Sequence, residues 1–258
     1  MTKAQFTSFA AFRDAFRGKV AEWSSYAGKL QPLQKEAAAK DTPAYPLETA
    51  VVYNRALDDI TQHDDIKLIV IGDNPGKDEQ LAENNRYLVG QSGKIAEGFF
   101  RRNPELGIDF RKNVIILNKT PVHTAKTNHL RPLQKADKEI AQLILDSQLW
   151  MAEHTALLHQ ELASHCAKKD SIIFEQTHLW LVGYAELKGK GIFLPYRDAL
   201  RQAYGRKKTW DSVFVYQHFS MNRFSIDLKQ FRDGHENMTL SEALEQLGLM
   251  HRDEIFGK

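Results

Sequence analysis

The chain has 258 residues, 42% of them hydrophobic and 26% charged, and its formal net charge at pH 7 is +2. These values are ordinary for a globular protein that buries a full-sized core. A charge so close to balance permits a nucleic-acid partner without arguing for one. The single cysteine, Cys166, excludes an internal disulfide and a cysteine-ligated metal cluster, and we interpret it as a small buried or half-buried thiol.

The sequence also argues against a membrane location. No segment approaches the roughly 18 uninterrupted apolar residues that a membrane helix needs. Residues 1–19 carry charges throughout, unlike a signal peptide. We therefore expect a cytoplasmic protein without a membrane partner, and we take a monomer as its working form.

Residues 1–60 are predicted to form a helical extension that packs on the rest of the chain. Apolar side chains recur there near the spacing of one helix face, at Phe6, Phe9, Phe12, Phe16, Val20 and Trp23. Good helix formers continue over residues 35–40, and the prolines of segment 42–46 then break the pattern. An aromatic face at this spacing is typical of a core.

Four short apolar runs follow, and each has the length of a buried strand. The runs are Lys67–Ile71, Asn113–Leu117, His178–Val182 and Ser212–Tyr216. They are continuous rather than alternating, which is typical of parallel strands covered on both faces. Helical patterns lie between them, notably over Ile95–Phe100 and Ala136–His165. Strands that alternate with helices imply crossover connections and a parallel sheet.

We therefore predict an α/β fold, with three α/β/α layers around a central four-stranded parallel sheet and an amino-terminal helical extension. No internal repeat or linker divides the chain. The prediction is a single domain over residues 1–258, in which residues 1–60 are the extension and residues 65–225 carry the motifs.

Polar residues follow the predicted strands at the point where each one ends. Asp73 and Asn74 follow the first run, Asn118 ends the second, and His218 follows the fourth. Open parallel sheets bind ligands in the crevice beyond the carboxyl ends of their strands. We therefore expect these four side chains to converge on one edge of the sheet.

Two glycine-containing segments do not match the known nucleotide-binding motifs. The turn Gly72–Gly76 lacks the G-x-G-x-x-G spacing, and Gly90–Ile95 lacks the first glycine and the final hydroxyl of a P-loop. Taken alone, Gly72–Gly76 is equally well explained as a tight turn.

Taken together, however, the motifs resemble the series found in the uracil-DNA glycosylase superfamily. The turn Gly72–Gly76 is similar to the GINPG, GMNPG and GEAPG motifs of its branches, and Tyr87–Gly93 to a PFVGxAG segment. Val114–Asn118 resembles the strand that ends in the base-reading asparagine, and His218–Ser220 resembles an HPS motif. The resemblance covers about residues 67–224 in the family order. It implies a DNA glycosylase of base excision repair with that superfamily's fold, acting on uracil or a related deaminated base.

The resemblance also implies roles for individual residues. Such an enzyme reads a flipped nucleotide in a pocket and stabilises an anionic leaving base. Asn74 would orient the attacking water, His218 would hydrogen-bond the base oxygen, and Asn118 would pair with the Watson–Crick edge. The remaining motif positions would help to bind the substrate; they are Gly72, Pro75, Gly76, Leu88 and Ser220.

Several positions depart from the family pattern. Asp73 is either a general base or a cap of the turn, and we favour the cap slightly. Leu88 replaces the stacking phenylalanine, so Tyr87 becomes the candidate stacking ring. Phe219 replaces the proline that follows the histidine, and Gly76 replaces a tyrosine that rejects thymine in the strictest uracil enzymes. The cluster cysteines are missing, so we expect no iron–sulfur centre, other cofactor or metal.

Two segments are predicted to contact DNA. Residues 119–132 are basic and acid-free, which suits phosphate contacts by Lys126 and Arg131; a solvated polar loop explains this composition equally well. Met221, Asn222 and Arg223 lie where the family carries residues that wedge into the helix.

Two other classes of function remain open. The changed motif residues are compatible with a module that binds nucleic acid or a nucleobase without cleaving it. A hydrolase using Ser92 or Ser220 with His218 and Asp73 is a third hypothesis, although the sequence has no G-x-S-x-G elbow.

Overall fold

The computed structural model describes residues 1–163, 176–235 and 237–257. Cys166, for which a buried thiol was predicted, lies outside these ranges, as does His165 at the end of a predicted helix. Within them, no helix is both long enough and apolar enough to cross a membrane.

The described chain alternates helices with short strands. The strands are β1 (Leu68–Gly72), β2 (Val114–Asn118), β3 (His178–Val182) and β4 (Val213–Tyr216). The helices are α1 (Lys3–Ser24), α2 (Ala27–Ala39), α3 (Gln91–Arg102), α4 (Leu130–Ala136), α5 (Lys138–Ala163), α6 (Leu194–Tyr204), α7 (Arg223–Asp233) and α8 (Leu240–Phe256). Short 3-10 helices cover Arg55–Asp59, Pro104–Leu106, Thr127–His129, Tyr184–Leu187, Lys208–Ser212 and Ser220–Asn222.

The strands form one parallel sheet in the order β2-β1-β3-β4. Every residue of β1, β2 and β4 is buried, as expected for a sheet covered on both faces. The predicted α/β class with a four-stranded parallel sheet is therefore confirmed. Gly72 pairs with Asn118 at the carboxyl ends of β1 and β2, so the residues that follow them emerge side by side.

The carboxyl-terminal helix packs closely on the edge strand β4. A Cβ atom added to Gly248 of α8 would lie 2.7 Å from both Phe214 Cβ and Tyr216 Oη. The Tyr216 hydroxyl donates to the Leu244 carbonyl at 2.9 Å, which fixes the helix on the strand. Because the chain leaves β4 directly into the loop of His218, this packing also anchors that side of the sheet edge.

The amino-terminal helices pack on α5 through the predicted aromatic face. Phe12, Phe16 and Trp23 are buried, and their rings lie about 6 Å from the Trp150 ring of α5, at 6.0, 5.9 and 6.0 Å. The prediction that this face belongs to the core is therefore confirmed. Aromatic pairs at such separations add to the stabilisation that comes from buried area.

Helix α2 also supports the loops at the sheet edge. The buried Gln34 amide donates to the carbonyls of Ala50 and His123, at 3.0 and 2.7 Å. His123 Nδ1 in turn bonds the carbonyl of Pro75, at 2.9 Å. The extension is thus joined by hydrogen bonds to the turn that follows β1.

Candidate functional site at the sheet edge

The carboxyl ends of three strands meet around a buried lysine. Lys119 follows β2 and is fully buried, and its Nζ donates to Asp73 Oδ1 at 2.6 Å. The same nitrogen donates to the carbonyls of Gly72 and Val182, at 3.3 and 2.5 Å. An ammonium group has three N–H donors, so these three acceptors satisfy it completely. Lys119 therefore ties together the ends of β1, β2 and β3.

Burial lowers the pKa of Lys119, while the neighbouring Asp73 carboxylate acts in the opposite direction. The Phe193 ring lies 5.0 Å from Nζ and adds a cation–π contact. With every donor engaged and no surface exposed to water, this amine serves as a fixed structural charge rather than a nucleophile.

Asp73 does not cap its own turn, which corrects the role favoured from sequence. Its carboxylate bonds Lys119 through Oδ1, and Oδ2 lies 3.4 Å from the Thr127 hydroxyl. The buried ammonium competes for the carboxylate more strongly than neutral backbone N–H groups would, since charge-assisted hydrogen bonds are the stronger ones. Within the described residues, Asp73 makes no hydrogen bond to a histidine, as it would in the triad of a serine hydrolase.

Gly183 makes room for this carboxylate. It follows β3 with a φ of +94°, and a Cβ atom added there would overlap Asp73 Oδ1. Two features therefore require glycine at this position: the left-handed backbone and the close approach of the Asp73 carboxylate.

Asn118 lies beside the ion pair at the end of β2. It is only 2% exposed, and within the part of the chain that the structure describes its Nδ2 has no hydrogen-bond partner. Its side chain crosses Gly72, where an added Cβ atom would overlap Asn118 Oδ1. A buried donor without an acceptor costs about 1–3 kcal/mol, so such a group calls for a functional explanation.

His218 is half-buried, and its loop fixes its tautomer. The backbone N–H of Ser220 donates to Nδ1 at 3.0 Å, and Ser220 Oγ lies 2.8 Å from the same nitrogen. A backbone N–H can only donate, so Nδ1 is an acceptor and the neutral ring carries its proton on Nε2. Burial lowers the pKa of His218, while the charge of Asp73 raises it and that of Lys119 lowers it further.

Asn74 is held by the loop that follows β2. Its Nδ2 donates to Thr124 Oγ1 at 2.8 Å and lies 3.3 Å from the Val122 carbonyl. The Pro75 carbonyl accepts the backbone N–H of Thr124 at 3.2 Å, so the turn and the loop are locked together. The Asn74 side chain is half-buried in this arrangement.

The loop after β2 differs from both descriptions predicted for it. Residues 119–124 are buried beneath the sheet edge, so this half is neither a phosphate-binding surface nor a solvated loop. Its polar side chains have internal partners; Thr120 Oγ1, for example, lies 2.7 Å from Ser147 Oγ of α5.

Glu79 joins the two motif segments around the site. Its carboxylate accepts the backbone N–H of Gly76 at 3.1 Å and that of Leu88 at 2.9 Å. Leu88 has a φ of +51°, a strained conformation for a residue with a side chain, and Arg111 Nη2 donates to its carbonyl at 2.7 Å. Hydrogen bonds to the N–H and to the carbonyl of Leu88 hold this conformation. Backbone strain of this kind tends to cluster near ligand sites.

Tyr87, the candidate stacking ring, lies in the core instead. It is 1% exposed, and its hydroxyl donates to the Val52 carbonyl at 2.6 Å. Tyr87 lies in a turn rather than an extended segment, and the hydrogen bond to Val52 holds its side chain inside the core. Leu88 is buried as well, so neither side chain offers an exposed face for a base in this conformation.

The Glu79 clamp predicts a dependence of stability on pH. Burial raises the pKa of Glu79 from 4.5 to about 7. The folded state then holds a proton that the unfolded state has lost between these values, so stability falls as the pH rises from 4.5 to 7. The difference corresponds to about 3 kcal/mol. The free energy of unfolding can be measured by urea unfolding of wild type and Glu79→Gln at pH 5, 6, 7 and 8. We expect the variant to gain stability relative to wild type as the pH rises. A difference that is constant with pH would contradict the raised pKa.

The loop after β4 presents an exposed tip. Met221 and Asn222 both have positive φ values, of 52° and 57°, and the Met221 side chain is 71% exposed. Arg223 is exposed at the start of α7. Phe219, which replaces the family proline, is fully buried with its ring 4.9 Å from that of Phe224, so it anchors the loop through packing.

The two predicted phosphate ligands each have a protein partner. Lys126 is exposed and lies 3.1 Å from an Asp41 carboxylate oxygen. Arg131 lies 3.2 Å from a Glu186 oxygen and donates to the Lys190 carbonyl at 2.8 Å. Ion pairs of this exposure stabilise a protein by about 0–1 kcal/mol, so a phosphate group can displace them.

A separate cleft of about 630 Å³ opens between α3, α7 and the start of α8. Its lining includes Phe99, Asn103, Ser225, Leu228, Arg232 and Leu240. The polar residues at the sheet edge do not line it. Across the described ranges, no three His, Cys, Asp or Glu side chains are grouped as a metal site would require.

Sequence reasoning missed Lys119, Gly183 and Glu79. For Lys119 a signal was present: Asp73 and Lys119 each lie two residues after the end of a buried run, and neighbouring parallel strands carry such residues to the same edge. No protein-family model matches the chain, and a comparison with curated proteins found no similar sequence.

Proposed function

We propose that this protein is a DNA glycosylase with a uracil-DNA glycosylase-like fold that hydrolyses the N-glycosidic bond of uracil or a related deaminated base. The motif resemblance supports this, and so does the grouping of Asp73, Asn118 and Lys119 at one sheet edge, with His218 in the loop that follows the parallel strand β4. These are the polar groups that base reading and charge stabilisation require.

The observation that carries the proposal is the buried Nδ2 of Asn118, which has no hydrogen-bond partner among the described residues. A pyrimidine carbonyl oxygen entering the sheet edge would accept this N–H, while the amide oxygen would accept a ring N–H. Because the group is buried, it discriminates strongly between ligands that can pair with it and those that cannot.

In the proposed reaction the electron pair of the glycosidic bond passes to the base, and water attacks the sugar carbon that is left. His218 donates its Nε2–H to the base oxygen on which negative charge develops. A neutral imidazole does this without a proton transfer. Asp73 Oδ2 and Asn74 hold the water, and the carboxylate accepts the proton that the water loses as the new C–O bond forms.

DNA is the proposed partner, and no cofactor takes part. Met221 and Asn222 would enter the space left by the flipped nucleotide, where an apolar side chain compensates for lost stacking. Arg223, Lys126 and Arg131 would contact phosphates on either side.

A second candidate is a module that binds a nucleobase in DNA without cleaving it. Two contacts favour it: Lys119 occupies one oxygen of Asp73, and the Asn74 amide nitrogen is bound to Thr124. Both reduce the capacity of these side chains to activate water, while the buried Asn118 Nδ2 has no hydrogen-bond partner within the described residues.

An assay on single-stranded and G:U duplex oligonucleotides containing uracil separates the two candidates. Alkali cleaves the abasic sites that a glycosylase leaves, so strand breaks report base release. Asn118→Asp keeps the side-chain shape but replaces the donor by an acceptor, and we expect it to slow base release by about 100-fold or more. Binding without breaks on uracil, thymine, hypoxanthine and xanthine substrates would favour the module. Neither binding nor breaks would reject both.

A further inference from the structure

We propose that Lys119 is a positioning residue of this site: it holds the Asp73 carboxylate in place. The inference rests on the proposed glycosylase function. It concerns a residue that has no surface of its own on the site, since Lys119 is fully buried.

The geometry gives Lys119 control over Asp73. With Oδ1 bound to Nζ at 2.6 Å, the carboxylate cannot rotate, and Oδ2 stays on the side of Thr127. Nζ is itself fixed by the carbonyls at the ends of β1 and β3, Gly72 and Val182, so the orientation is anchored in the sheet rather than in a loop. Sites supported by strands keep their reacting groups in register better than sites on loops.

The same ammonium acts on His218. The Lys119 and Asp73 charges act on this imidazole in opposite directions. Lys119 opposes protonation of the ring and so favours the neutral form that presents Nε2–H. Within the described residues, Thr127 is the other side chain that hydrogen-bonds to Asp73, and it carries no charge.

The test is a double-mutant cycle of Lys119→Met and Asp73→Asn, read by single-turnover base release and by DNA affinity. Misplacing the carboxylate by about 1 Å can cost about 100-fold in rate, so we expect a loss of that order for Lys119→Met. DNA affinity should change less than about two-fold because Lys119 does not touch the substrate. The double variant should be no slower than Asp73→Asn alone, since Lys119 acts through Asp73.

Lys67→Met is the matched control. Lys67 precedes β1 at the opposite edge of the sheet, where its Nζ donates to the Gly107 carbonyl at 2.9 Å. This variant should keep the wild-type rate. If Lys119→Met is misfolded by circular dichroism, the double variant, which leaves no buried charge unpaired, replaces it in the comparison. A wild-type rate in Lys119→Met, losses that multiply in the double variant, or a double variant slower than Asp73→Asn would overturn the proposal.

An NMR titration of the His218 imidazole separates this inference from the glycosylase proposal. Removing the ammonium in Lys119→Met should raise the pKa of His218, and removing the carboxylate charge in Asp73→Asn should lower it. Lys67→Met should leave the titration unchanged. If wild type releases no base from any substrate but these shifts occur, the glycosylase function fails while the charge arrangement stands. An unchanged titration in both site variants would overturn the action of the two charges on His218, even in an active enzyme.

Discussion

Replacing His218 with alanine is expected to lower the single-turnover rate of base release by about 100- to 1,000-fold, the usual cost of losing one preorganised donor to a developing oxyanion. The reason lies in the loop, where the Ser220 N–H holds Nδ1 as an acceptor and leaves the proton on Nε2. The donor is therefore oriented before the substrate arrives, and alanine removes it without a substitute.

The measurement is single-turnover kinetics on uracil-containing single strands, with His63→Ala as the control because His63 is an exposed histidine outside the site. Long-range ¹H–¹⁵N spectra should show the His218 ring with Nδ1 unprotonated near neutral pH. A rate unchanged by His218→Ala would remove this residue from the mechanism. A ring protonated on Nδ1 would contradict the tautomer.

The layout of the sheet could be predicted because each strand carries its signal locally. A buried strand of a parallel sheet must be apolar throughout, and the runs Lys67–Ile71 and Asn113–Leu117 meet that requirement. The strands themselves begin and end one residue later, at Gly72 and Asn118. The difference arises because backbone pairing, rather than hydrophobicity, decides where a strand ends.

The position of Asp73 and Asn118 at one edge was predictable for the same reason, since parallel strands deliver their carboxyl ends to one edge. The partner of Asp73 was not predicted. A lysine after a strand is usually solvated, and only the register Gly72–Asn118 places Lys119 beside Asp73. Register depends on contacts between distant segments, which a single sequence does not display.

The surface predictions failed where a tertiary contact reverses the usual preference of a residue. His123 and Thr124 belong to a basic, polar segment, yet both are buried because Gln34 and the turn at Pro75 supply partners. Tyr87 likewise finds a buried acceptor in the Val52 carbonyl. Composition predicts exposure only when such acceptors are absent.

Gly183→Ala is expected to have the largest effect on stability. The new methyl group would overlap Asp73 Oδ1, so the carboxylate must leave its position against Lys119. Separating a buried ion pair while its charges stay in the protein costs about 3–5 kcal/mol. The left-handed backbone at this position, with a φ of +94°, adds about 1–2 kcal/mol for a residue with a Cβ atom.

Gly189→Ala is a matched control because Gly189 has a φ of +60° and an added Cβ atom would meet nothing within 4 Å. Gly189→Ala therefore has the energetic cost of a left-handed backbone but no overlap between the new methyl group and another atom. Urea unfolding of both variants should therefore show Gly183→Ala to be less stable than Gly189→Ala by about 3–5 kcal/mol. Base release should fall in Gly183→Ala even at temperatures where the variant is folded, because the displaced Asp73 no longer holds the water. Equal losses of stability in the two variants would mean that the carboxylate accommodates the methyl group and that the ion pair does not depend on this glycine.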